Sequence, residues 1–115
     1  MPSFEGRKRI VLQPNDSGVP YRFEFPIASA VDANDGAIPH GDSISSVVAT
    51  AYDAAGSDVS SQIAGTPTTG AAYVVVPLSY PTTSGEGSYK LTMVITTVNG
   101  INLEFDYDRI RAVDL

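Results

Sequence analysis

His40 is the only histidine of the chain, and it stands in the loop Pro39-His40-Gly41 with no acidic residue beside it to orient an imidazole. General acid–base work needs a base that a second group positions, so His40 reads as a loop residue available for contacts rather than as a catalyst. Asp32, Asn34, Asp35 and Asp42 place oxygen ligands around Gly36, which is the residue chemistry of a calcium loop. Their spacing departs from an EF-hand, because position twelve counted from Asp32 is Ser43 and not Glu. A solvated, turn-rich loop is the competing reading of the same residues. Glu104, Asp106 and Asp108 alternate along one stretch, as paired carboxylates of a glycosidase would. They lie opposite an apolar stripe, however, and that makes them a solvated or interface face. None of the serines stands in a Gly-x-Ser-x-Gly elbow, and no glycine-rich phosphate loop is present. The residues therefore point away from an enzyme, and no cofactor is expected.

Arg7-Lys8-Arg9 is the one basic cluster, in a chain with 7 basic and 13 acidic residues and a formal charge of −6. That balance argues against nucleic acid or an anionic membrane as the main partner. It favours docking of the cluster on an acidic protein surface, with residues 1–8 read as a flexible arm. The chain has no cysteine, so the fold has neither a disulfide framework nor a thiolate metal site. The longest apolar run, Ala71-Ala72-Tyr73-Val74-Val75-Val76, falls far short of the roughly 20 residues of a membrane helix. No apolar stretch of signal-peptide length follows the N-terminal charges. The expectation is a protein kept in the cytosol or carried out in a larger particle.

The elements that must hold these residues are strands. Val, Thr, Ser, Tyr, Gly and Pro dominate, and Leu, Glu and Lys are few, which is a strand-and-turn composition. The pattern predicts strands at 9–12, 21–25, 43–52, 59–63 and 72–78. Tyr21, Phe23 and Phe25 alternate with charged residues and are read as core. In 43–52, period two puts Ile44, Val48 and Thr50 on one face and Val47, Ala49 and Ala51 on the other. Tyr89, Leu91, Met93 and Ile95 form an apolar face in the last third. Val98-Asn99-Gly100-Ile101 then marks a hairpin, with Gly100 supplying positive φ. The returning strand carries Ile101, Leu103, Phe105 and Tyr107 inward. Its period breaks near Ile110 and Val113, so a bulge or bend is expected at 109–112. About seven two-faced strands predict a single domain over 1–115, an immunoglobulin-like antiparallel β-sandwich, with a small barrel as second choice.

Gly85-Glu86-Gly87-Ser88-Tyr89-Lys90-Leu91 resembles the tyrosine-corner stretch of immunoglobulin-like sandwiches, with Tyr89 two residues before an inward Leu91. The wider order of motifs resembles the small immunoglobulin-like structural proteins of tailed bacteriophages and prophages, of the fibre–tail adaptor kind. Tyr21, Phe23 and Phe25 match their early strand, and Gly41-Asp42-Ser43-Ile44-Ser45-Ser46 matches their Gly-Asp-x-Ile-x-Ser segment. Residues 85–91, Thr97-Val98-Asn99-Gly100 and 109–113 match their closing strands and hairpin. The loop 28–40 is longer than in that pattern, and 67–70 is an insertion. The resemblance implies a non-enzymatic virion component that oligomerises and connects tail, neck or fibre parts. Its expected contact residues are Arg7, Lys8, Arg9, Asp35, His40, Arg109 and Arg111. The second functional reading is a glycan-binding or adhesion module, calcium-dependent through Asp32, Asn34 and Asp35.

Overall fold

The computed structural model describes residues 3–4, 9–32 and 35–114. The strands are β1 (Ser3–Phe4), β2 (Ile10–Leu12), β3 (Val19–Glu24), β4 (Ile44–Tyr52), β5 (Thr68–Thr69), β6 (Tyr73–Leu78), β7 (Gly87–Thr97) and β8 (Asn102–Ala112). A single helical turn, α1 (Ser60–Ile63), lies between β4 and β5. One sheet has the order β1-β3-β6-β5 and the other the order β2-β8-β7-β4. This is the immunoglobulin-like sandwich that the alternation predicts, with a two-layer core rather than a closed barrel. Two pairings depart from the antiparallel expectation. β1 runs parallel to β3, and β2 runs parallel to β8 with Ile10 opposite Ile110 and Leu12 opposite Ala112. Of residues 1–8, read from sequence as an arm, only the backbone of Ser3–Phe4 is described, and it is paired with β3; Arg7 and Lys8 lie outside the described residues.

The core is built from alternate residues of both sheets. Tyr21, Phe23 and Phe25 are buried, as their spacing predicts, and so are Val74, Val76, Leu78, Leu91, Met93 and Ile95. Aromatic rings join the two layers. Phe23 meets Tyr107 edge-on at 5.4 Å between centroids, and Phe25 lies 4.6 Å from Phe105. With no cysteine to staple the sheets, this apolar packing is what holds them face to face.

Tyr89 forms the tyrosine corner. Its ring is buried, and its hydroxyl donates to the Gly85 carbonyl at 2.6 Å. That bond fixes the turn before β7 and sets the position where Leu91 enters the core. Tyr89→Phe removes the bond while keeping the ring, so it is expected to cost about 1 kcal/mol, read as a lower urea midpoint with an unchanged slope.

Three local expectations are corrected. The segment 59–63, predicted as a strand, is the turn α1. Asp58 accepts from both the backbone N–H and the hydroxyl of Ser60, at 2.9 and 2.6 Å, and this Asx-type turn bends the chain before Ile63 enters the core. In β4, Ile44 shares the inward face with Val47, Ala49 and Ala51, while Val48 is 65% exposed. A register shift between Ile44 and Ser46 inserts one residue and reverses the alternation after it. Ile101, expected inward with Leu103, Phe105 and Tyr107, is instead 41% exposed beside the turn of the β7–β8 hairpin, which forms where Asn99-Gly100 marks it. Gly100 donates to the Thr97 carbonyl and has φ 86°, whereas no residue other than glycine has positive φ among the described residues. The loop is thus Val98-Asn99-Gly100, a turn followed by a left-handed glycine. The break foreseen at 109–112 is a bulge just before it: Tyr89 faces Ile110 and Leu91 faces Tyr107, which leaves an extra residue at Asp108-Arg109.

Candidate functional site: a basic corner on an acidic domain

The parallel β2–β8 pairing decides where the cations gather. Val11 is in register with Arg111, and both are exposed while their neighbours Ile10 and Ile110 are buried. Arg9, one residue before β2, is therefore carried alongside Arg109. The bulge at Asp108-Arg109 turns both of these side chains outward, where strict alternation would have sent one of them inward. Arg9, Ser88, Asp108, Arg109 and Arg111 surround a depression of about 130 Å³. Ser88 and Asp108 also border a larger open cleft of about 430 Å³, whose other walls include Tyr52, Asp53 and Lys90. The Lys90 ammonium lies 5.4 Å from the centre of the Tyr52 ring, within cation–π range.

Four described cations, Arg9, Lys90, Arg109 and Arg111, thus stand at one end of the β2-β8-β7 face, with the carboxylates of Asp53, Glu86 and Asp108 among them. The remaining described cation, Arg22, is on the other sheet. It is paired with Glu24 at 2.7 Å and stacked 3.7 Å over the Tyr73 ring. Arg9, Arg109 and Arg111 have no such ion pair among the described residues. Guanidinium groups on an exposed sheet face present forked donors suited to carboxylates.

Asp32, Asp35, His40 and Asp42, also proposed from sequence, lie at the far end. Asp42 and Ser43 bind the β7–β8 hairpin: Asn99 N–H donates to the Asp42 carboxylate at 3.1 Å, and Val98 N–H to the Ser43 carbonyl at 2.9 Å. That end is separated from Ser88 and Lys90 by most of the length of β7, roughly 30 Å at strand rise. The loop 28–40 belongs to it. His40 Nδ1 lies 3.2 Å from the Ala28 carbonyl and ties the loop's two ends together. Asp35 accepts the Ser29 N–H at 2.7 Å, and Ser29 Oγ accepts the Asp32 N–H at 3.0 Å. Hydrogen bonds from the Ser29 backbone and hydroxyl hold the Asp35 carboxyl below its ordinary value. Asp32 and Asp35 are thus engaged in closing their own loop, and Asn34 lies outside the described residues. No group of three or more His, Asp or Glu side chains placed to hold a metal occurs among the described residues.

Asp42 is the functional-looking residue whose place the sequence does not show. It is buried, at 5% exposure, and its carboxylate also accepts the Ser43 N–H at 2.8 Å. Burial opposes its ionisation and leaves Oδ2 without a hydrogen-bond partner, but the polar groups turned toward the carboxylate, the Thr97 side chain and the backbones of Ser43, Asn99 and Val98, outweigh that and hold its carboxyl below the usual range. It is a brace between two loops. Glu104, Asp106 and Asp108 are exposed on the outer face of β8, where Asp106 accepts the Thr92 hydroxyl at 2.8 Å. Comparison with protein-family models and with curated proteins finds no match to this chain.

Proposed function

We propose that the chain is a non-enzymatic structural protein of a tailed-phage or prophage particle, which connects tail, neck or fibre components through protein–protein contacts. The observation that carries this reading is the gathering of Arg9, Arg109 and Arg111 on one corner of a domain whose formal charge is −6. Like charges held together on a surface repel one another, and an acidic partner reverses the sign of that term. A polyanionic nucleic acid is a poor occupant, because the rest of the molecule repels it. The motif order shared with small phage adaptors supplies the finer identity, and the implied location is the virion, after assembly in the host cytoplasm. Partners are other tail, neck or fibre proteins, together with further copies of the chain.

The test is made on particles induced from the cell that encodes the chain. Purified virions are expected to contain the protein at a fixed copy number by quantitative mass spectrometry. Arg109→Glu with Arg111→Glu is expected to lower incorporation by about tenfold, the scale of one or two lost charge-assisted contacts, while the melting temperature stays within about 2 °C. Particles free of the protein, or full incorporation of the double variant, would sink the reading.

A further inference from the structure

Asn99-Gly100 is the one Asn-Gly step of the chain; Asn15 precedes Asp16, Asn34 precedes Asp35 and Asn102 precedes Leu103. The step sits at the tip of the β7–β8 hairpin, and both of its residues are exposed. The Asn99 side chain makes no hydrogen bond among the described residues, so its amide is free to turn back on the main chain. Gly100 brings no Cβ to stand between its own nitrogen and that side chain.

The backbone of the tip, by contrast, is tied down. The Asn99 N–H donates to the Asp42 carboxylate at 3.1 Å and the Gly100 N–H to the Thr97 carbonyl at 2.9 Å. The Ile101 N–H donates to Thr97 Oγ1 at 3.1 Å. Asp42 and Thr97 are the two buried polar side chains of the described core, at 5% and 2% exposure. An exposed, reactive step thus hangs on two buried anchors.

We propose that Asn99 is a site of spontaneous deamidation, held back in the folded chain by the Asp42 brace. The Gly100 nitrogen, its proton given up to hydroxide, attacks Asn99 Cγ. A bond forms between them, the Cγ–Nδ2 bond breaks, and ammonia leaves with a proton taken from water. The resulting succinimide takes up one water and opens at either carbonyl. The product is an aspartyl or isoaspartyl residue at position 99, and solvent is the only co-reactant. Ring closure requires the Gly100 N–H to leave the Thr97 carbonyl and the peptide after Asn99 to rotate. The bond from the Asn99 N–H to a buried carboxylate resists that rotation, so conversion passes through a local opening of the tip.

Conversion alters the end of the sandwich that Asp42 holds together. A carboxylate at position 99 stands near that of Asp42, and like charges disfavour each other. The isoaspartyl product also lengthens the main chain by one methylene between the Asp42 and Thr97 anchors. The converted chain is expected to melt about 4 °C lower, the loss of one charge-assisted hydrogen bond. The basic corner lies at the other end of β7 and is untouched, so this inference is independent of the adaptor reading.

The test follows the full chain by peptide mass spectrometry over weeks in neutral buffer, beside the same chain unfolded in guanidinium. Position 99 is expected to gain about 1 Da in both, at least about tenfold more slowly when folded, while Asn15 and Asn102 of the folded chain keep their amides. Asn99→Gln is expected to gain nothing there, since its longer side chain would have to close a larger ring. Asp42→Ala, kept below its melting point, is expected to convert about tenfold faster than the unmodified folded chain. Thr97→Val keeps the side-chain shape but removes the Ile101 acceptor, loosens the same tip, and serves where Asp42→Ala fails to fold. An amide intact after about a hundred times the half-life seen in the unfolded chain overturns the proposal. So do equal rates in the folded and unfolded chains, rates unchanged in the anchor variants, or Asn15 converting as fast as Asn99.

Discussion

Gly36→Ala is expected to cost about 3 kcal/mol and to lower the melting temperature by roughly 10–20 °C, although it adds a single methyl group in a loop. Gly36 is not needed for an unusual φ. It is needed for space: a Cβ there would lie 2.4 Å from the Ala28 nitrogen, 2.5 Å from the Pro26 carbonyl oxygen and 2.6 Å from the Ile27 carbonyl carbon. All three are backbone atoms, so no rotamer change relieves the clash. The backbone approach at that point aligns Ile27 with Ile38, through Ala28 N–H to the Ile38 carbonyl at 2.7 Å and Ile38 N–H to the Pro26 carbonyl at 3.1 Å. Ile38 is fully buried, and moving the chain apart withdraws it from the core. Calorimetry of Gly36→Ala beside Gly36→Ser checks the argument, because both must fail alike if space is the cause. A melting point within 2 °C of the unmodified protein would refute it.

Asp42 carries the second large effect, and this one depends on pH. Its carboxyl is held below its ordinary value in the folded chain, so the stability it contributes is fully present above its unfolded pKa of about 3.9. That contribution is lost as pH falls through the lower, folded value. Asp42→Asn keeps an acceptor oxygen but not the charge that the Ser43 and Asn99 N–H groups converge on. Its melting temperature is expected to lie well below that of the unmodified protein at pH 7, and the gap is expected to narrow steadily between pH 4 and pH 2. Comparing the two proteins at each pH cancels the general effect of neutralising an acidic chain. Asp42→Ala, which removes both oxygens, should fall further at pH 7. A gap that stays constant across the range would mean that the charge of Asp42 does not stabilise the fold.

The basic corner at the start of β7 is an electrostatic site, sensitive to salt because its charges are exposed, so an acidic partner docked there should be released as ionic strength rises.

Period two in the sequence was enough for the β-strands, because a half-buried strand has to place every second residue in the core; Tyr21, Phe23, Phe25, Leu91, Met93 and Ile95 obey it. The hairpin at Asn99-Gly100 and the corner at Tyr89 were equally legible, since both rest on contacts a few residues apart. Where one inserted residue reset the alternation, as in β4 after Ile44, the pattern assigned Val48 to the wrong face. At 59–63 a local Asp58–Ser60 bond overrode a strand-like composition. Parallel pairing of β2 with β8, which brings Arg9 to Arg109 and Arg111 across about a hundred residues, was settled by the tertiary structure alone. So was the burial of Asp42, which sequence places among loop ligands and the fold uses as a brace. Local chemistry writes itself into neighbouring residues, but the meeting of distant strands depends on which apolar faces close over one core, and that is a property of the whole chain.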